Sequence, residues 1–142
     1  MTELLVAGEP RFLVDDSELE RDGASYTIDT VRARLGSYAG EQLFLVIGQD
    51  QFERFHTWRD WRELLGLVTL AVAARAGQEV QGSAEIGEAL QAEPNRMRKL
   101  AMPAMQVSST QVRELASRNE DIRPLVGDAV AGYIARHRLY CE

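Results

Sequence analysis

The sequence predicts an α/β fold, a doubly wound parallel sheet with flanking helices, and three observations carry that prediction. Short uninterrupted apolar runs, Leu43 to Ile47 and Leu67 to Ala73, alternate with segments whose apolar residues recur at helical spacing. Both runs are dominated by aliphatic and branched residues, as strands covered on both faces of a parallel sheet are. Polar or glycine residues follow directly, Gly48 and Asp50 after the first run and Arg75 and Gly77 after the second, and ligands of such sheets bind outside the carboxyl ends of the strands.

Each element follows from local chemistry. Thr2 to Ala7 reads as a helical start ended by Gly8 and Pro10, and Arg11 to Val14 as a short strand leading into an acidic turn. Ser25, Tyr26 and Thr27 open a helix whose Ile28, Val31 and Leu35 fall on one face, and Gly36 and Gly40 stop it. Leu43 to Ile47 is the expected central strand, ending at Gly48. Asp50 can cap a short helix, and Thr57 with Asp60 forms a capping-box pattern ahead of Trp61, Leu64 and Leu65, which places Trp58 in a first turn. After the strand Leu67 to Ala73, the polar stretch from Gln78 to Lys99 reads as a surface excursion with a short helix around Ile86 and Leu90 and a turn at Pro94. Pro103 precedes a short strand near Met105 to Val107, and Ser108 with Gln111 gives a second capping box opening a helix to about Ser117. The last helix starts near Pro124 and carries Val126, Val130, Tyr133 and Ile134 on one face.

The 142 residues suit one domain spanning 1–142. Hydrophobic residues at 45% and charged residues at 27% exclude a disordered chain. Sixteen Lys and Arg against 22 Asp and Glu leave a net charge of -6, the wrong sign for a surface that engages nucleic acid or an anionic membrane as a whole. Any bound phosphate is therefore held locally. The apolar stretch Leu64 to Ala74 contains Gly66 and Thr69 and falls short of the ~20 residues of a membrane span. Met1 to Ala7 carries Glu3 and no basic flank, so no targeting signal is read there and the cytoplasm is expected. The single cysteine, Cys141, excludes an internal disulfide and reads as an idle terminal thiol. His56 and His137 lack metal-ligand spacing, so no protein metal site is expected. No Ser-His-Asp arrangement, GxGxxG or GxxxxGK[ST] occurs, which argues against a hydrolase, a dinucleotide fingerprint and a P-loop.

The strand ends supply the candidate site. Ser108, Ser109 and Thr110 offer hydroxyls and free amides at a helix start, an arrangement that attracts phosphate, and Arg113 one turn on can reach the same anion. The plainer reading is a well-made helix start. Gly48 allows close backbone approach and Asp50 can accept from ribose hydroxyls, although a simple cap would look the same. Trp58 can stack on a planar ring, particularly a cationic pyridinium, or pack in the core.

Taken together, SYT at Ser25 to Thr27, LVIGQD ending at Asp50, TW at Thr57 and Trp58, Arg75 after the next strand, and VSSTQVR from Val107 to Arg113 resemble the bacterial nicotinate-mononucleotide adenylyltransferases, a branch of the Rossmann-like nucleotidyltransferase superfamily. The order and spacing fit from Met1 to the RHRLY ending at Tyr140. The resemblance implies transfer of the adenylyl group of ATP, accompanied by magnesium, to nicotinate mononucleotide, giving nicotinate adenine dinucleotide and pyrophosphate in NAD biosynthesis. It further implies that Thr27, Trp58 and Arg75 hold the mononucleotide through carboxylate, pyridine ring and phosphate respectively. Gly48 and Asp50 would hold the adenosine side, and Ser109, Thr110 and Arg113 the ATP phosphates, Arg113 also supporting catalysis.

Two departures accompany the resemblance. Ala76 and Gly77 stand where the family commonly has Pro-Gly, and the family's opening strand with its GxFDPxHxGH motif does not occur in the sequence. An N-terminally truncated domain is therefore expected, with little activity alone because the motif's two histidines are absent. Marginal stability or self-association is expected, the latter through the sheet edge that the missing strand would have paired. A non-catalytic nucleotide-binding subunit, or an adenylyltransferase using another acceptor such as nicotinamide mononucleotide or phosphopantetheine, is the alternative.

Overall fold

A computed structural model describes every residue except 39, 76–78, 104–106 and 141–142, and for Arg75 the backbone alone. The chain divides into two compact units, a contiguous one over Ser17–Ala104 and a second assembled from Met1–Asp16 and Met105–Glu142.

The contiguous unit is the sheet unit. Three parallel strands, β1 (Phe44–Gly48), β2 (Thr69–Arg75) and β3 (Met97–Met102), lie in the order β1-β2-β3. The helices α2 (Thr27–Ser37), α3 (Gln49–Glu53), α4 (Trp61–Leu67) and α5 (Ala84–Ala92) belong to the same unit. This is the α/β arrangement of parallel strands and flanking helices expected from the sequence, and α1 (Thr2–Val6) lies in the other unit. β2 is central: Leu70 and Val72 are wholly buried, and with Ile28, Phe52, Phe55, Leu64 and Ile86 they make the unit's core. Among the described residues Thr69 is its buried polar one, and its hydroxyl accepts from Gln42 Nε2 at 3.0 Å.

Several expectations are corrected. The run around Leu43 to Ile47 forms an edge strand rather than a central one. Among the described residues it pairs with β2 alone, and while Ile47 is buried, Phe44 and Val46 on the opposite face are 53% and 63% exposed. The second strand starts two residues later than expected because Leu67 completes the last turn of α4. β3 starts inside the stretch read as a surface excursion and runs three residues past its end: Arg98 and Lys99 disguise it, and charge is what an exposed strand position tolerates. The strand expected near Met105 to Val107 falls largely outside the described residues, and Val107 itself is in no strand. Arg11 to Val14 is not a strand either, with Phe12 and Leu13 exposed.

The second unit is helical. α6 (Ser109–Ser117) and α7 (Arg123–Arg136) bury Ala116, Ile122, Val130 and Ile134 against one another, and α1 packs on α7. Pro124 sits in the first turn of α7, as expected, but Gly127 interrupts the helix with φ 76°, a conformation that a side chain disfavours.

Candidate functional site

At the carboxyl ends of β1 and β2 lies a cleft of about 700 Å³ lined by Gly48, Gln49, Asp50, Gln51, Glu79 and Gln81 among others. A Cβ built on Gly48 would meet nothing within 4 Å. The fold itself does not demand glycine there, and the bare backbone is left open to whatever enters the cleft. Asp50 occupies the first turn of α3 without capping it; Gly48 is the N-cap residue, and no side chain caps that end. The cap reading of Asp50 is thus overturned, and its carboxylate remains exposed at the cleft. Gln49 Nε2 donates to the Gln81 carbonyl at 2.7 Å, tying α3 to the chain beyond β2. With Asp50, Glu53 and Glu79 on its walls, the cleft offers acceptors, suited to hydroxyl donors and unsuited to phosphate.

Thr27 is the first residue of α2. Its preceding residue, Tyr26, is extended, and no side chain caps the helix. The first intrahelical bond to this end runs from Asp29 N–H to Tyr26 O at 3.0 Å. The amides before it point out of the helix at its partially positive end, where a carboxylate is favoured. The acidic turn that precedes α2 folds onto it: Ser25 Oγ donates to Glu18 O, and the Thr30 hydroxyl donates to Glu18 Oε1 while accepting from Arg21.

Trp58 lies where sequence spacing did not put it. The capping box expected from Thr57 and Asp60 does not form. Thr57 Oγ1 instead donates back to Arg54 O at 2.7 Å within a 3-10 turn over Phe55–Thr57, and Asp60 precedes α4 at φ 51°, giving no side-chain cap. Trp58 therefore terminates the 3-10 turn in extended conformation. Its ring is tilted at 51° against Phe55 with centroids 5.4 Å apart, and it is part-exposed, so both the core and the stacking readings have a footing.

Two residues absent from the sequence reading tie these motifs together. The guanidinium carbon of Arg59 lies 4.6 Å from the centroid of the Tyr26 ring, a cation–π distance. Arg32 on α2 reaches across to α4 with a two-pronged bond to Glu63, Nε to Oε1 at 2.9 Å and Nη2 to Oε2 at 2.6 Å. No periodicity announces either contact, since neither arginine falls on an apolar stripe and both partners lie about thirty residues away in sequence. The guanidinium bonded to Glu63 holds that carboxylate below its usual range.

Arg75 ends β2, opposite Met102 of β3. Its side chain and the Ala76 and Gly77 positions lie outside the described structure.

The helical unit holds the remaining candidates. Ser108 caps α6, its Oγ accepting from Gln111 N–H at 3.1 Å, so the Ser108 half of the expected capping box is present. Ser109 and Thr110 form the exposed first turn. Arg113 folds back along the helix as expected, Nη2 donating to Thr110 Oγ1 at 3.2 Å. Ser108, Ser109, Val112 and Arg113 line one wall of a cavity of about 370 Å³. Among the described residues no three His, Cys, Asp or Glu side chains converge as a metal cage.

A family model described as cytidylyltransferase-like matches residues 1–115. A probable nicotinate-nucleotide adenylyltransferase of Bordetella parapertussis is 39% identical over 140 residues, 99% of this chain and 70% of that protein. The protein of the same description from Methylibium petroleiphilum is 44% identical over 144 residues, covering 99% of this chain and 66% of its own length. Among solved structures, the Plasmodium falciparum nicotinic acid mononucleotide adenylyltransferase complexed with APC, and the same protein complexed with NaAD, each give a TM-score of 0.70 at 16% identity. They are covered over 72% and 71% of their length, against 99% of this chain. At that identity the likeness establishes the fold.

Proposed function

The chain belongs to the cytidylyltransferase-like family and, within it, to the nicotinate-nucleotide adenylyltransferases, and from that premise we propose that it acts in NAD biosynthesis as a single nucleotidyltransferase domain joining ATP to nicotinate mononucleotide. A phosphate oxygen of the mononucleotide attacks the α-phosphorus of ATP, the bond to the bridging oxygen breaks, and pyrophosphate leaves, with no covalent enzyme intermediate. In-line transfer of this kind needs positioning and stabilisation of negative charge more than covalent chemistry.

The carrying observation is the Arg59–Tyr26 contact, which joins the SYT and TW motifs although they are distant in sequence. On this reading the α2 start at Thr27 takes the nicotinate carboxylate and Trp58 stacks on the pyridine ring. Arg75 takes the mononucleotide phosphate. The acceptor-lined cleft at Gly48 and Asp50 suits the hydroxyls of adenosine, while Ser109, Thr110 and Arg113 take the ATP phosphates, Arg113 countering the charge that develops as pyrophosphate leaves. Magnesium belongs to the substrate, entering on the phosphates of ATP. The cytoplasm is the proposed location; no helix among the described residues is long and apolar enough to cross a membrane.

The test is pyrophosphate release from magnesium-ATP on adding nicotinate mononucleotide. It is run on this chain beside a version extended ahead of Met1 by a relative's GxFDPxHxGH-bearing segment. Turnover in the extended version with little in the chain alone is expected. Saturable nucleotide binding without turnover in either would replace the enzyme reading with a binding module, and equal use of nicotinamide mononucleotide or phosphopantetheine would remove the role given to Thr27. We further propose self-association through the outer edge of β1, where Phe44 and Val46 are exposed; light scattering that finds only monomer across a concentration series would refute it.

A further inference from the structure

Arg32 touches no motif of the family resemblance, yet it lies between the two that bracket the proposed acceptor site. From the second turn of α2, five residues after Thr27, its guanidinium meets Glu63 in the two-pronged bond already described. It also lies 3.3 Å from Asp29 Oδ1 and 3.6 Å from Asp60 Oδ2. One cation thus answers three carboxylates drawn from α2, the turn after Trp58 and α4. Arg59 Nε stands 3.9 Å from Asp60 as a weaker second cation. Asp60 is also the residue at φ 51°, a left-handed conformation that costs a non-glycine residue energy and persists where surrounding contacts hold it.

We propose that Arg32 is a positioning residue for the nicotinate mononucleotide site: through Asp60 and Glu63 it fixes the turn carrying Trp58 relative to the α2 terminus carrying Thr27. The inference rests on the acceptor reading above. Arg32, Asp29, Asp60 and Glu63 are all nearly half exposed, and exposed ion pairs add little to global stability. The effect is therefore geometric: without Arg32, three carboxylates repel one another across the α2–α4 junction, and the stacking and carboxylate contacts lose their common spacing. Displacements of this kind at a binding site cost far more in function than in folding.

The experiment compares the wild type with Arg32→Gln, Arg32→Lys and Glu63→Gln. Affinities for nicotinate mononucleotide and for magnesium-ATP are measured by calorimetry, together with melting temperature and the indole N–H resonances of Trp58 and Trp61. Arg32→Gln is expected to weaken mononucleotide binding on the order of tenfold, leave ATP affinity and melting nearly unchanged, and shift or broaden the Trp58 indole signal while that of Trp61 stays in place. Glu63→Gln should reproduce the loss, and Arg32→Lys, which keeps the charge but not the fork, should restore only part of it. Undiminished mononucleotide affinity in Arg32→Gln overturns the proposal. So does a loss in Arg32→Gln that Glu63→Gln does not share, because Arg32 would then touch the ligand itself. If the wild type binds no mononucleotide, the acceptor reading fails separately, and an unmoved Trp58 indole signal in Arg32→Gln then overturns the positioning role on its own.

Discussion

Trp58 divides its surface between Phe55 and solvent, and the division sets what its removal does. Trp58→Ala is expected to weaken nicotinate mononucleotide binding from a few-fold to about thirtyfold, the range of a cation–π contact of roughly 0.5–2 kcal/mol. ATP binding should be spared, and a calorimetric titration with each ligand separates the two. Arg113→Ala should act on the reaction instead, lowering turnover of the active extended version by roughly a hundred- to a thousandfold with the acceptor affinity intact in the same titrations. Gly82 is a residue of another kind. A Cβ there would stand 3.0 Å from Phe52 Cε1 and 3.1 Å from Ile86 Cγ2, so Gly82→Ala should destabilise the sheet unit by about 1–3 kcal/mol, the usual cost of overpacking, read from the denaturation midpoint. Individual roles were legible where chemistry is local. Ser108 as a cap and the backward reach of Arg113 follow from three-residue spacing on one helix. Asp60 was misread because its carboxylate answers Arg32 rather than the backbone beside it, and a partner nearly thirty residues away leaves no trace in local pattern.

Among elements, β1 shows most clearly what a sequence run can and cannot tell. Its apolar content correctly marked a strand with both faces built for burial, but which faces are covered depends on neighbours, and β2 is its one strand partner among the described residues. The two faces should therefore respond oppositely to charge. Val46→Lys is expected to leave the melting temperature within a few degrees and to lower any self-association in light scattering, whereas Ile47→Lys, at 7% exposure, should unfold the sheet unit because an unpaired ammonium cannot be buried. β3 was missed for the converse reason: strand pairing with β2 tolerates Arg98 and Lys99 on exposed positions, so the composition resembled a loop. The start of α7 carries a separate signal in pH. Bonds from Arg123 draw the Asp121 carboxyl down to about 2. A carboxyl depressed on folding adds stability that is complete above its unfolded value and is lost as pH falls through the folded one. The acid limb of stability between about pH 4 and 2 should accordingly be shallower in Asp121→Asn than in the wild type, measured as melting temperature against pH; identical limbs would show that the pair contributes nothing.

For the molecule as a whole, the alternation of apolar runs with helical segments was enough to give the α/β class, because that pattern reports which surfaces must be buried and not where each strand ends. The division of the chain was not legible. A unit that gathers Met1–Asp16 with Met105–Glu142 is defined by contacts between distant segments, and no composition shift marks its borders. That arrangement has a consequence for how the protein comes off the ribosome. The sheet unit is one continuous stretch whose strands pair in the order in which they are made, so each joins a neighbour already present and only modest loops have to close. The helical unit must wait: α1 is made before the sheet unit and α7, on which it packs, after it. Through that interval α1 lacks the helix it packs on, and an isolated helix of five residues is marginal in water, so its fold is expected to set only once α7 has been made.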